Sequence, residues 1–276
     1  MKSGTPALSS LFEMIKENLK QFVYYPIPQT IEYMKCRLTR DKKGMQKGLF
    51  PIYYLHAERE DGKKFLILAA EKCRNKIGTS NYLISTDIID LSLDGESSGK
   101  LRGNNLLGTE FTIFDNGVNP IRTSTDPEHH RREMAAIIYE TNIFGFKGPR
   151  KITVLIPDID NEHQRIEVQP RNEQESLIER WKRNDMKNIL ELHNKTPIWN
   201  EDSKSYILKF IDNRVTEASI KNFQIIRNCD DKTEDIVMQF GRVSDDMFTC
   251  DFRYPLCAMQ AFGIALSSFN SRLGRE

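Results

Sequence analysis

The sequence predicts a mainly β protein: a closed barrel of about twelve strands around a central hydrophobic C-terminal helix. Short runs with a two-residue apolar period recur at regular spacing between residues 34 and 254, as in all-β barrels. Turn signals such as Asp61-Gly62 and Asn116-Gly117 punctuate them, and no Gly/Ser linker divides the region. Pro255 to Phe269 then forms a helix apolar on every side, through Leu256, Met259, Phe262, Ile264, Leu266 and Phe269, with Gln260 the only strongly polar residue before Ser267. A helix apolar all round is buried all round. At about 15 residues it is shorter than the ~20 a bilayer span requires, so protein must surround it. A closed sheet of this size removes its sticky edges but leaves a lumen, and a threaded apolar helix fills it.

Along the chain, Leu8, Leu11, Phe12, Ile15, Leu19 and Phe22 give an amphipathic helix from Ser9 to Phe22, capped by Ser9 or Ser10 with Glu13 near the capping-box position, and ended by Pro26-Ile-Pro28. Strands follow at Met34 to Leu38, at Ile52 to Ala57 and Lys64 to Ala70 around Asp61-Gly62, and at Tyr82 to Thr86, Leu106 to Phe114, Met134 to Glu140, Ile152 to Ile156 and Arg165 to Gln169. Glu173 to Arg183 reads as a short helix over a barrel end, with Leu177, Ile178 and Trp181 on one face. Further strands are expected at Ile189 to His193, Ser205 to Ile211, Val215 to Ile226, Ile236 to Phe240 and Met247 to Tyr254. Pro255 suits the first turn of the last helix, where its missing N–H leaves no bond unmade. The division expected is a helical N-terminal extension, residues 1–23, and one β domain, residues 24–276.

Forty Lys and Arg against 39 Asp and Glu leave a net charge of +1, so affinity for phosphate or nucleic acid must come from local clusters rather than a global field. Five widely spaced Cys without a Cys-x-x-Cys pair argue against a disulfide framework or a zinc site and point to a reducing compartment. Neither a signal peptide nor a lipidation motif is visible, so the expectation is a soluble protein able to lie on a membrane. The chain lacks a Gly-x-Ser-x-Gly elbow, a Gly-rich phosphate loop, His-Glu-x-x-His and a dinucleotide fingerprint. His129-His130 follows Asp126-Pro127 in a polar loop; Asp158 with Asp160, and Asp245 with Asp246, sit in turn-like surroundings; His56 and His193 lie inside strand patterns. None makes a catalytic constellation. The expectation is a protein that is not an enzyme and holds no cofactor or metal.

The basic residues are more informative. Lys72, Arg74 and Lys76 lead into Thr79-Ser80-Asn81, and Gly99-Lys100-Leu101-Arg102-Gly103 follows. In a strand Lys100 and Arg102 share one face while Leu101 turns inward. Two cations side by side can cradle a multiply phosphorylated headgroup, the ammonium as a point charge and the guanidinium as a two-bonded fork. An ordinary solvated strand face has the same spacing.

At these residues the chain resembles the C-terminal domain of the tubby-like proteins, from about Phe22 to Glu276. The resemblance runs through Cys36-Arg-Leu-Thr-Arg-Asp-Lys-Lys-Gly-Met45, Thr79-Ser-Asn-Tyr-Leu-Ile-Ser85, Phe114-Asp-Asn-Gly-Val-Asn-Pro120, Gly145-Phe-Lys-Gly-Pro-Arg-Lys151 and Asn194-Lys-Thr-Pro-Ile-Trp199. Two further blocks resemble the family's signatures, Arg214-Val-Thr-Glu-Ala-Ser-Ile-Lys-Asn-Phe-Gln224 and Ala261-Phe-Gly-Ile-Ala-Leu-Ser-Ser-Phe269.

The resemblance implies a twelve-stranded barrel around a C-terminal helix and membrane recruitment by phosphatidylinositol 4,5-bisphosphate. It implies that Lys100 and Arg102 bind the headgroup, joined by Asn81 and by Arg131 of Arg131-Arg132-Glu133-Met134, with Arg132 the competing assignment. It further implies a non-catalytic adaptor, peripheral at the plasma membrane and released into cytoplasm and nucleus, that carries membrane cargo to the cilium through an N-terminal segment largely absent from these residues. A monomer is expected. DNA binding through the same basic groove is the alternative, although no base-reading motif is visible. Three departures stand out: Arg272-Leu-Gly-Arg275-Glu276 replaces the family's usual Lys-Leu-Ala-Cys-Glu ending, Asn213 stands where a Gly usually precedes Arg214, and Glu71, Cys73 and Asn75 thin the basic run.

Overall fold

The computed structural model describes residues 6–43, 50–73, 79–91, 97–120, 129–140, 151–202, 204–227 and 235–270. Its strands are β1 (Cys36–Asp41), β2 (Ile52–Glu58), β3 (Lys64–Lys72), β4 (Asn81–Ser85), β5 (Gly99–Gly103), β6 (Glu110–Asp115), β7 (Glu133–Tyr139), β8 (Ile152–Pro157), β9 (Ile189–Asn194), β10 (Ile198–Asn200), β11 (Ser205–Ile207), β12 (Phe223–Ile226), β13 (Ile236–Ser244) and β14 (Met247–Phe252). Twelve close into a barrel in the order β1-β14-β13-β12-β9-β8-β7-β6-β5-β4-β3-β2, and every pairing is antiparallel. Among the described residues β10 and β11 pair only with each other.

Among the described residues three α-helices accompany the barrel: α1 (Pro6–Phe22), α2 (Leu177–Lys182) and α3 (Ala258–Ser267). All ten residues of α3 are buried, so the all-round apolar helix does fill the barrel. Its one strongly polar side chain, Gln260, is bonded at both ends: Oε1 accepts from the Cys257 backbone N–H at 3.1 Å and Nε2 donates to Met134 O at 2.7 Å. The helix fits because Gly263 has no side chain; a Cβ there would sit 2.3 Å from Ile113 Cδ1. Phe269 closes the end beyond α3, its ring centroid 4.9 Å from that of Tyr53 and 5.0 Å from that of Phe248. Pro255 lies before the helix rather than in its first turn, on a cis bond from Tyr254.

The hydrophobic stripe of α1 is continuous with the barrel core. Leu11, Phe12, Ile15 and Phe22 are buried in it, and the Phe12 and Phe65 rings are 5.2 Å apart. α1 begins earlier than its serines suggest, so Ser9 and Ser10 lie inside it and do not cap it. The chain then runs to the start of α3, where the Met259 N–H donates to Val23 O.

Four segments differ from the alternation pattern. Arg165 to Gln169 is not a strand, because its backbone bonds are divided: Ile166 N–H donates to Asp158 O while Val168 O receives Glu133 N–H. Val215 to Ile226 contributes only its last four residues to the sheet; earlier, Thr216 and Glu217 donate to Arg242 O. Ser205 to Ile211 is cut to the three residues of β11. Leu106 to Phe114 becomes a strand only at Glu110, because Asn105 bonds Thr109 in a turn and Gly108 takes φ +71°. α2 covers the outer wall rather than a barrel end. Ala136 and Leu155 face outward there, and Leu177 and Ile178 bury them.

Candidate phosphate-binding face

Strand pairing builds a small polar surface on the outside of β4, β5 and β6. Alternation along β5 leaves Lys100 and Arg102 exposed and turns Leu101 wholly inward. Register then sets their neighbours. Arg102 is flanked by Asn81 of β4 and Thr112 of β6, and Lys100 by Leu83 and Phe114. The glycines at the ends of β5 allow close approach: a Cβ at Gly103 would lie 2.9 Å from Ser80 O, and one at Gly99 2.8 Å from Phe114 O.

Neither Lys100 nor Arg102 makes an ion pair among the described residues, whereas Arg37, Arg40, Arg132, Arg214, Arg227, Arg242 and Arg253 all do. Lys100 and Arg102 thus stand side by side and exposed on one face of β5. Asn81 Oδ1 accepts from Gly103 N–H at 3.3 Å, so the carboxamide offers a ligand its donor end. A ligand here meets two cations and an amide donor, a set suited to phosphate oxygens.

The two neighbouring arginines are sorted by what holds them. Arg132 Nε donates to Asp115 Oδ2 at 2.6 Å, and its guanidinium also binds Glu167. Arg131 places its guanidinium 4.0 Å from the centroid of Phe114, the residue opposite Lys100. Arg131 therefore shares the outer face with Lys100, while Arg132 is tied to the end of β6 by Asp115 and to the segment after β8 by Glu167. Gly117 makes this possible, because a Cβ there would lie 2.4 Å from Arg131 Cα. Asn116-Gly117, a turn signal in the sequence, thus sets the close passage of two chain segments.

Beside Arg131 stands a carboxyl that sequence reasoning passed over. Glu133 is buried, accepts from the Leu177 backbone N–H at 2.8 Å, and has its pKa pushed up to about 7 by burial, against the pull of that N–H, Arg131 and Arg180. Nothing in its sequence context signals this; the cause is the cover supplied by α2. Cys73, which donates its N–H to Asn81 O, is a half-buried thiol whose pKa burial raises and Lys100 lowers. Cys36, Cys250 and Cys257 are buried thiols, each with its pKa raised by burial.

Other sequence candidates are dispersed. Asp158 and Asp160 bind backbone N–H groups in their own turn, and His193 lies 3.4 Å from Glu191. Burial lowers the pKa of His56. No group of three or more potential metal ligands comes together among the described residues. Arg74, Lys76, Asp126, Pro127, Cys229, Gly145 to Arg150 and the Arg272 ending lie outside the described residues.

The first signature block has a structural role. Arg214 reaches Asp251 with Nε at 2.8 Å, Glu58 at 2.9 Å and Cys36 O at 3.3 Å, joining β14, β2 and β1. Asp251 is 1% exposed and also accepts from Cys36 N–H and Gln239 Nε2.

Comparison with known proteins places this architecture. The model described as Tub family matches residues 23–271. Tubby-related protein 3 of Mus musculus is 56% identical over 263 residues, covering 94% of this chain and 56% of its own length; the Homo sapiens protein of that name is 54% identical, with 94% and 58% covered. Protein king tubby of Drosophila melanogaster is 52% identical over 261 residues, 94% of this chain and 54% of its own. The chain thus spans little more than half the length of these curated relatives. Tubby-family proteins are non-catalytic, and no helix among the described residues is long and apolar enough to cross a membrane. With its twelve-stranded barrel, its buried C-terminal helix and this match over most of its length, the chain belongs to the Tub family.

Proposed function

We propose that this chain is a phosphoinositide-binding unit that docks on membranes containing phosphatidylinositol 4,5-bisphosphate and serves as an adaptor in signalling or ciliary membrane-protein traffic. The observation that carries this reading is the exposed pair Lys100 and Arg102, without ion-pair partners among the described residues, beside Asn81. Arg131, held on the same face by Phe114, is the fourth headgroup ligand; Arg132, engaged by Asp115 and Glu167, is not. An anionic leaflet attracts such a face at about 1 kcal/mol per cation, and the fixed spacing of the donors then selects adjacent phosphates. Binding is reversible and makes no covalent bond. It ends when the lipid is hydrolysed, releasing the protein to cytoplasm or nucleus. The protein acts as a monomer.

Vesicle sedimentation tests this. The protein is expected to pellet with vesicles containing phosphatidylinositol 4,5-bisphosphate and to remain in solution with phosphatidylserine vesicles of equal surface charge. Equal pelleting with both would reduce the site to general electrostatics. Duplex DNA binding at physiological salt that competes with soluble headgroup would instead favour a nucleic-acid role for the same face.

A further inference from the structure

The turn between β5 and β6 holds two leucines in water. Leu106 is 60% exposed and Leu107 67%, and they adjoin in sequence. The turn is well ordered around them. Asn105 Nδ2 donates to Thr109 Oγ1 at 2.8 Å and Asn105 Oδ1 accepts from Thr109 N–H at 3.0 Å. Gly108 takes the left-handed φ of +71°, and its carbonyl accepts from Asn270 Nδ2 just beyond α3, at 3.2 Å. Tyr139 N–H donates to Thr109 O at 2.7 Å. A turn braced from the barrel interior on one side and from β7 on the other thus presents adjacent aliphatic side chains at its tip. Isolated exposed leucines need no explanation, but a rigid aliphatic pair beside cations does.

We propose that Leu106 and Leu107 form a wedge that enters the acyl region of a lipid bilayer while the adjacent face holds the headgroup. Charge selects this occupant. The turn leaves β5 after Gly103, one residue beyond Arg102, and Lys100 and Arg102 draw it toward an anionic surface; burying apolar side chains at that surface adds a second, non-electrostatic anchor. Two weak attachments acting together give stable membrane residence where one does not. The wedge rests on the phosphoinositide site proposed for β4–β6, and it adds that the protein reads a lipid in a membrane better than the same headgroup free in solution.

The test compares wild type with the Leu106→Ser, Leu107→Ser double variant, using vesicles containing phosphatidylinositol 4,5-bisphosphate and, separately, soluble inositol 1,4,5-trisphosphate. The variant is expected to melt as wild type does and to bind the soluble headgroup equally, with vesicle affinity reduced about tenfold or more. Leu106→Met, Leu107→Met is expected to retain vesicle binding, as is Ile88→Ser, Ile89→Ser in the connection between β4 and β5. Unchanged vesicle binding by the serine variant overturns the wedge. So does an equal loss from the Ile88 and Ile89 changes, or a wild-type dimer that the serine variant dissociates without loss of vesicle binding. If wild type binds no soluble headgroup, the headgroup site itself fails; vesicle binding that still depends on the two leucines then shows the wedge acting without it.

Discussion

Arg131 lays its guanidinium 4.0 Å from the centre of the Phe114 ring, and Phe114 is the residue that faces Lys100 across β5 and β6. One aromatic side chain thereby aligns a connection residue with a strand cation. Phe114→Leu is expected to keep the fold and remove the platform, weakening headgroup binding two- to fivefold, since an exposed cation–π contact contributes roughly 0.5–1 kcal/mol. Calorimetric titration with inositol 1,4,5-trisphosphate checks it.

The neighbouring arginines should separate by phenotype. Arg131→Ala is expected to weaken headgroup binding with little change in melting temperature. Arg132→Ala should do the reverse, because it deprives Asp115, 5% exposed, of its charged partner. Asp115 keeps its backbone donors from Gly117 and Arg132, so the cost is about 1–3 kcal/mol. Melting and titration of both variants decide the assignment.

Glu133 gives the protein a pH-dependent stability. Its pKa is raised from the ordinary 4.5 to about 7, so the folded state favours the neutral acid. The associated stability is fully present below about pH 4.5 and is lost as pH rises through 7, a change on the order of 3 kcal/mol. Glu133→Gln, which can still accept from Leu177 N–H, is expected to flatten that decline and raise the melting temperature at pH 8. Melting curves from pH 5 to 8 for both proteins test this.

Arg214 and Gly263 support the fold rather than the ligand. Arg214→Ala strands Asp251, 1% exposed, and should cost about 3–5 kcal/mol. Gly263→Ala pushes a methyl against Ile113 and should cost about 1–3 kcal/mol, part of which Ile113→Val restores. Denaturant unfolding of the singles and the double reports both.

The barrel was legible because its strands alternate and its plug does not: Phe262 and Ile264, on opposite sides of one helix, are both fully buried. The face of Lys100 and Arg102 followed from the same alternation. What the sequence concealed lies in irregular backbone. Leu106 continues an apolar run into β6, and only the Asn105 bonds and the φ of Gly108 turn it out into solvent. Glu133 reads as one more charged residue in Arg131-Arg132-Glu133, and its burial depends on a helix more than forty residues later in the chain. Arg214 stands out by signature, but its partners Glu58 and Asp251 come from opposite ends of the sequence.

The most direct measurement is calorimetric titration of inositol 1,4,5-trisphosphate into wild type and into the Lys100→Ala, Arg102→Ala double variant, with melting curves to verify that both are folded. Because Lys100 and Arg102 are exposed and make no ion pair among the described residues, the melting temperature should not change. Saturable binding by wild type and its loss in the variant is the expected result. Equal binding by the two proteins would contradict the assignment of the headgroup to this face.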